Sequence, residues 1–179
     1  MKPVILLCAC LLQIEISAQQ QGKKFSFYVQ GGYMSSQYVK EAKLNTLISE
    51  KETRHHKCII LNTGFQFNIS EYWRVGPSFT YDHFGAKHRS VEYSNLNYMI
   101  RCDRIWKKTK KYSLYSGLMT GLRKTRRFEE EIEVEHRVHP CYHIYLIGAE
   151  SKVTNGLFFD VNAGWGATGI LSIGAKYRF

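Results

Sequence analysis

Beyond residue 18 the chain has no apolar run near the roughly 20 residues that a membrane helix requires. A membrane protein with this sequence therefore has to satisfy its backbone hydrogen bonds between strands, in a closed barrel. At 179 residues, less once an export segment is removed, it is too short for two ordinary domains. Acid is scarce, with 15 Asp and Glu against 25 Lys and Arg and a formal charge of +10. Paired cysteine is scarce too: past Cys8 and Cys10 only Cys58, Cys102 and Cys141 remain, and an odd number is no disulfide framework.

What is present begins with an export signal. Lys2 gives a short positive start, Val4 to Leu12 form an apolar stretch, and Ile16-Ser17-Ala18 ends in a small residue suited to signal peptidase. We expect residues 1–18 to be a cleavable signal peptide and residues 19–179 the mature domain. A lipidated cysteine is the competing idea, but Cys8 and Cys10 lie so near Met1 that almost no apolar segment precedes them. Cleavage removes one base, Lys2, and one acid, Glu15, so the mature chain keeps its basic excess.

The mature chain alternates with a period of two, the signature of strands with one apolar and one polar face. Near the C terminus Leu171, Ile173, Ala175, Tyr177 and Phe179 share one face, while Ser172, Gly174, Lys176 and Arg178 share the other. A third strand sets Trp73, Val75, Pro77, Phe79 and Tyr81 against Arg74, Gly76, Ser78, Thr80 and Asp82. Phe25, Phe27, Val29 and Tyr33 mark an outward face in strand one, and Ile59, Leu61, Phe65, Phe67 and Ile69 one in strand two. Leu96, Tyr98, Ile100 and Trp106 oppose Asn95, Asn97, Arg101 and Asp103 in strand four, and Leu157 to Trp165 alternate in strand seven. Strands near 112–123 and 141–151 alternate less clearly. The expected fold is all-β: an eight-stranded antiparallel up-and-down transmembrane β-barrel of 9- to 11-residue strands, with both termini on one side.

The connections fit this topology. Those around Ser70-Glu71, Lys107 to Lys111 and Thr154-Asn155 are short and are expected in the periplasm, whereas those near 35–56 and 124–138 are long, charged and expected outside. Tyr72, Trp73, Tyr81, Trp106, Tyr112, Trp165, Tyr177 and Phe179 fall near strand ends, where amphipathic rings suit headgroup depth. A soluble barrel with its apolar side chains inside is the alternative, since periodicity alone does not say which face is inner. Charges of both signs on the polar faces favour the membrane barrel.

The terminal Ser172-Ile173-Gly174-Ala175-Lys176-Tyr177-Arg178-Phe179 resembles the C-terminal signal by which outer-membrane barrels reach their assembly machinery, with Ser172, Gly174, Tyr177 and Phe179 as the matching positions. With the signal peptide and eight strands, the mature chain resembles the small outer-membrane β-barrel domain family, OmpA-like barrels of the kind common in Bacteroidetes-like bacteria. The resemblance implies a Gram-negative outer membrane and insertion by the barrel-assembly machinery. It implies no shared activity, because such barrels serve as anchors, adhesins, enzymes and narrow pores.

Candidate chemistry is sparse. His139, Cys141 and His143 alternate along one strand about 7 Å apart in succession, a spacing that could share a soft metal ion, although histidines also suit a barrel rim without any metal. His88-Arg89-Ser90 superficially resembles a His-x-Ser element of outer-membrane lipid A deacylases, but the rest of that signature is missing. The basic run Arg123-Lys124-Thr125-Arg126-Arg127 adjoins an acidic run from Glu129 to Glu135 and could contact lipopolysaccharide phosphates or simply extend a hairpin above the membrane. Lys107, Lys108, Lys110 and Lys111 form a second basic cluster in a short turn, and an exported barrel gives no reason to expect nucleic acid as its partner.

Eight strands leave a lumen that side chains can largely fill, and Arg74, Asp82, Arg101, Asp103, Asp160, Lys176 and Arg178 are expected to plug it. The sequence therefore predicts a non-enzymatic integral outer-membrane barrel without cofactors, whose partners are outer-membrane lipid and lipopolysaccharide, the assembly machinery and an unknown surface partner. The alternatives are a narrow porin-like channel for small solutes and a lipid A-modifying enzyme.

Overall fold

The computed structural model describes residues 25–36, 38–39, 58–86, 91–129 and 132–179. The expected signal peptide, the pair His88 and Ser90 and most of the first long connection lie outside the described residues. Eight strands run in chain order: β1 Phe25–Tyr33, β2 Cys58–Asn68, β3 Trp73–Ala86, β4 Val91–Lys108, β5 Tyr112–Glu129, β6 Ile132–Lys152, β7 Leu157–Gly166 and β8 Leu171–Arg178. Each pairs antiparallel with the next, and β8 returns to β1, so the sheet closes into a barrel with no crossover. The closing ladder runs from Ser26 opposite Arg178 to Tyr33 opposite Leu171.

The side-chain alternation read from the sequence governs the faces. Ile59, Leu61, Tyr98, Ile100, Leu118, Leu122, Phe159 and Ile173 stand exposed on the outer surface, whereas Gln30, Asn62, Gln66, Arg74, Arg101 and Lys176 are buried inside. That arrangement is the inverse of a soluble ligand-binding barrel, in which the apolar set fills the interior. It answers the question that periodicity alone left open.

Strand length departs from expectation. β1, β7 and β8 have 9, 10 and 8 residues, close to one bilayer crossing, but β4 and β5 have 18 each and β6 has 21. The segment 124–138 is thus not one long loop: β5 continues to Glu129 and β6 starts at Ile132, and their ladder still holds at Arg126 opposite His136. The extra length of β6 carries the hairpin on the order of 25 Å beyond a bilayer crossing.

The weak alternation of β6 has a local cause. Opposite Ser116, the register shifts between Tyr145 and Gly148, leaving an extra residue on β6; the same shift appears against β7 between Tyr145 and Ile147. Leu146 and Ile147 are consecutive and both exposed. Above this bulge the odd residues Cys141, His143 and Tyr145 face inward, and below it the even residues Gly148 and Glu150 do so. A single inserted residue therefore reverses the parity of the strand.

The upper end is closed by the connection between β7 and β8, in which Ala167, Thr168 and Gly169 are buried. Ile170 donates its amide to Tyr33 O at 2.8 Å, and Ser172 Oγ donates to Thr168 O at 3.0 Å. Gly169 takes φ of +100°, and a Cβ there would lie 2.6 Å from Tyr33 O, so both conformation and space require glycine.

Candidate functional site

The lumen holds two chemically distinct zones. In the half nearer the short turns, Glu150 is the common acceptor: Arg74 Nη1 and Lys176 Nζ both bond its Oε1, and Arg178 Nη2 bonds its Oε2. Ser113 Oγ donates to the same carboxylate at 3.3 Å. Asp103 receives Arg101 Nε at 2.9 Å, Gln66 Nε2 at 2.7 Å and Arg74 Nη2 at 3.5 Å. Asp160 receives Tyr115 Oη at 2.6 Å, Gln30 Nε2 at 2.9 Å and Lys176 Nζ at 3.5 Å. Arg74, Arg101, Lys176 and Arg178 thus interlock with Asp103, Glu150 and Asp160, which meets the requirement that a buried charge be paired and hydrogen-bonded.

Tyrosines brace the cations. The guanidinium of Arg101 lies 4.8 Å from the ring of Tyr28, 5.5 Å from Tyr115 and 4.6 Å from Tyr145. Arg74 packs 5.0 Å from Tyr115, whose hydroxyl also accepts from Arg101 Nη2 at 3.1 Å. Space for Tyr115 comes from Gly148, where a Cβ would sit 2.2 Å from the ring.

Of the expected plug residues, six meet in this network. Asp82 lies apart, eight positions from Arg74 on the same strand, roughly 26 Å away along an extended chain. There Asn95 Nδ2 at 3.4 Å and Cys58 Sγ at 3.8 Å donate to it. Glu150, Tyr28, Tyr115 and Tyr145 were missed, because tyrosine reads as apolar and the bulge hides the inward position of Glu150.

Above the charged zone the lumen is mostly neutral. Met99, Met119, Cys141, Tyr145 and Ala167 form one buried apolar cluster. Around it Asn62 donates to Gln30 Oε1 at 3.0 Å, Arg123 Nε donates to Asn97 Oδ1 at 2.6 Å, and Thr125 Oγ1 donates to Asn95 Oδ1 at 2.7 Å. Arg123 is therefore a lumen residue: strand alternation splits the basic run, sending Arg123 and Thr125 inward and leaving Arg126 exposed.

His139, Cys141 and His143 share the inner face of β6, with His139 half-buried and the other two buried. His143 accepts the amide of Thr168 on Nδ1 at 3.4 Å and packs its ring 4.4 Å from Tyr145. Among the described residues no group of three or more His, Cys, Asp or Glu side chains converges as a metal site.

At the C terminus Ser172 is buried, Tyr177 and Phe179 are exposed, and their rings lie 4.9 Å apart. Phe179 also packs 5.3 Å from Phe25. Gly174 pairs with Gln30, and a Cβ there would meet Val29 O at 2.0 Å.

No protein-family model and no curated protein matches the chain by sequence. Among solved structures, Neisserial surface protein A (NspA) matches with a TM-score of 0.58 at 12% identity, over 89% of this chain and 100% of that one. The fold is that of a small outer-membrane barrel. Ail, the attachment invasion locus protein of Yersinia pestis, matches with a TM-score of 0.51 at 15% identity, over 88% of this chain and 97% of that one. Its complex with the heparin analogue sucrose octasulfate gives the same values.

Proposed function

We propose that the protein is a non-enzymatic, integral outer-membrane barrel of a Gram-negative cell whose tall β5–β6 hairpin meets lipopolysaccharide or a surface partner. The observation that carries this reading is the asymmetry of the wall: strands of 18 and 21 residues rise beside strands of 8 to 10, over a lumen threaded by ion pairs. Residues 1–18 would direct export and be removed. Ser172, Gly174, Tyr177 and Phe179 would present the terminal strand to the assembly machinery. The interlocked lumen supports a plugged barrel in preference to a solute channel.

On the hairpin, Arg126, His136 and Arg137 are exposed above the apolar band, a placement suited to phosphate groups of lipopolysaccharide. The Ail complex with a sulfated heparin analogue offers a parallel for polyanion binding on this fold, and the basic hairpin would be its counterpart here.

The test begins with cell fractionation: the protein should pellet with outer membranes and migrate faster on gels before boiling than after. Purified wild type should bind lipopolysaccharide in a pull-down, and the triple variant Arg126→Gln, His136→Gln, Arg137→Gln should lose most of that binding. Stepwise conductance in planar bilayers would replace this reading with the channel. Altered lipid A that depends on His88 and Ser90 would replace it with the enzyme.

A further inference from the structure

The opposite rim carries a basic cluster that the surface reading leaves unused. Arg104 is exposed on the outer face of β4, directly below the lipid-facing positions Ile100 and Cys102 and opposite Trp73 on β3. Its guanidinium is held between two indoles, 5.8 Å from the ring of Trp73 and 4.7 Å from that of Trp106. Trp106 is fixed in turn by donating Nε1 to Ser116 Oγ at 2.9 Å. Among the described residues no carboxylate pairs with Arg104.

The adjoining turn is closed by hydrogen bonds and densely charged. Thr109 and Tyr112 clasp it, with Thr109 N donating to Tyr112 O at 2.8 Å and Tyr112 N donating to Thr109 Oγ1 at 3.0 Å. Lys107, Lys108, Lys110 and Lys111 are all exposed around this clasp, and Lys107 Nζ lies 5.8 Å from the ring of Tyr112. Lys152 joins them, its amide bonded to Lys111 O at 2.7 Å.

An arginine at the lower border of an apolar band, beside two indoles and without an acid, sits where a bilayer offers a phosphate. Guanidinium donors match phosphate oxygens in pairs, and neighbouring lysines raise the local concentration of anions. We propose that Arg104 and the lysines of the β4–β5 turn form a binding surface for anionic phospholipid, such as phosphatidylglycerol, in the leaflet that meets the short turns. The proposal rests on the membrane reading above. It anchors this edge of the barrel at a fixed depth, with Trp73, Trp106 and Tyr112 seated among the headgroups.

The experiment reports on the indoles themselves. The protein carrying Trp165→Phe, so that only Trp73 and Trp106 fluoresce, is inserted into phosphatidylcholine vesicles with a minor fraction of either dibrominated phosphatidylglycerol or dibrominated phosphatidylcholine. Quenching should show an affinity for phosphatidylglycerol about fivefold above that for phosphatidylcholine. The preference should vanish in Arg104→Gln and in a variant with Lys107, Lys108, Lys110 and Lys111 all changed to Gln, while heat-modifiable migration stays intact. Equal quenching by the two lipids in otherwise wild-type protein overturns the proposal, as does a preference that survives both variants. Displacement of phosphatidylglycerol by an equal amount of lipid A also overturns it, by assigning the site to a different lipid. Absence of quenching by either lipid together with unshifted migration overturns the membrane reading itself, which separates the two failures.

Discussion

The two halves of the lumen are built from the same strands yet hold together by different physics. Near the short turns, four cations and three carboxylates share acceptors and donors, so that the loss of one member leaves its neighbours without a partner. Further up, Met99, Met119 and Cys141 fill space, and pairs such as Thr125 with Asn95 and Arg123 with Asn97 hold polar groups between neighbouring strands. The first zone is strongly coupled and intolerant of losing one partner. The second is a looser set of short hydrogen-bond chains around an apolar cluster, joined to the first through Gln30.

Removing the hub should break that contrast most sharply. Glu150→Ala leaves Arg74, Lys176 and Arg178 facing one another without their common acceptor, and a cost of about 3–5 kcal/mol is expected. Urea unfolding in lipid vesicles measures it; a loss no larger than that of an upper-lumen variant would show that the ion network does not hold the barrel. Met119→Ala probes the apolar zone, where the missing side chain leaves a cavity between Met99 and Tyr145 and is expected to cost about 2–3 kcal/mol by the same assay. Should it exceed Glu150→Ala, the ranking of the two zones is reversed. Thr125→Val removes one neutral hydrogen bond and is expected to cost about 1 kcal/mol. Combining it with Glu150→Ala sharpens the comparison: the two losses should add, because no group is shared between them.

The parts that sequence made legible follow from one rule. Where a strand keeps strict alternation, as β2, β3 and β8 do, the inward residues Arg74, Asp82 and Lys176 were identifiable from parity alone. β6 breaks the rule at Leu146 and Ile147, and counting in twos from Cys141 and His143 carries Glu150 to the wrong face. Tyr115 is hidden differently: its ring reads as membrane-facing, whereas its burial, its bond to Asp160 and the gap at Gly148 show that it belongs inside. In the run from Arg123 to Arg127 the difficulty is one of grouping. Five adjacent polar residues looked like a loop, whereas the continuing ladder sorts them onto two faces.

The unequal wall also sets how the barrel yields to force. Pulled from Phe179, the ladder that gives first is the closing seam of β8 with β1, between strands of 8 and 9 residues, followed by the short β7. The β5–β6 hairpin, hydrogen-bonded along its length, would then resist and release in the longest extension. A mechanical trace of this molecule would therefore read as small early steps and one large late one, a fingerprint written by strand length alone.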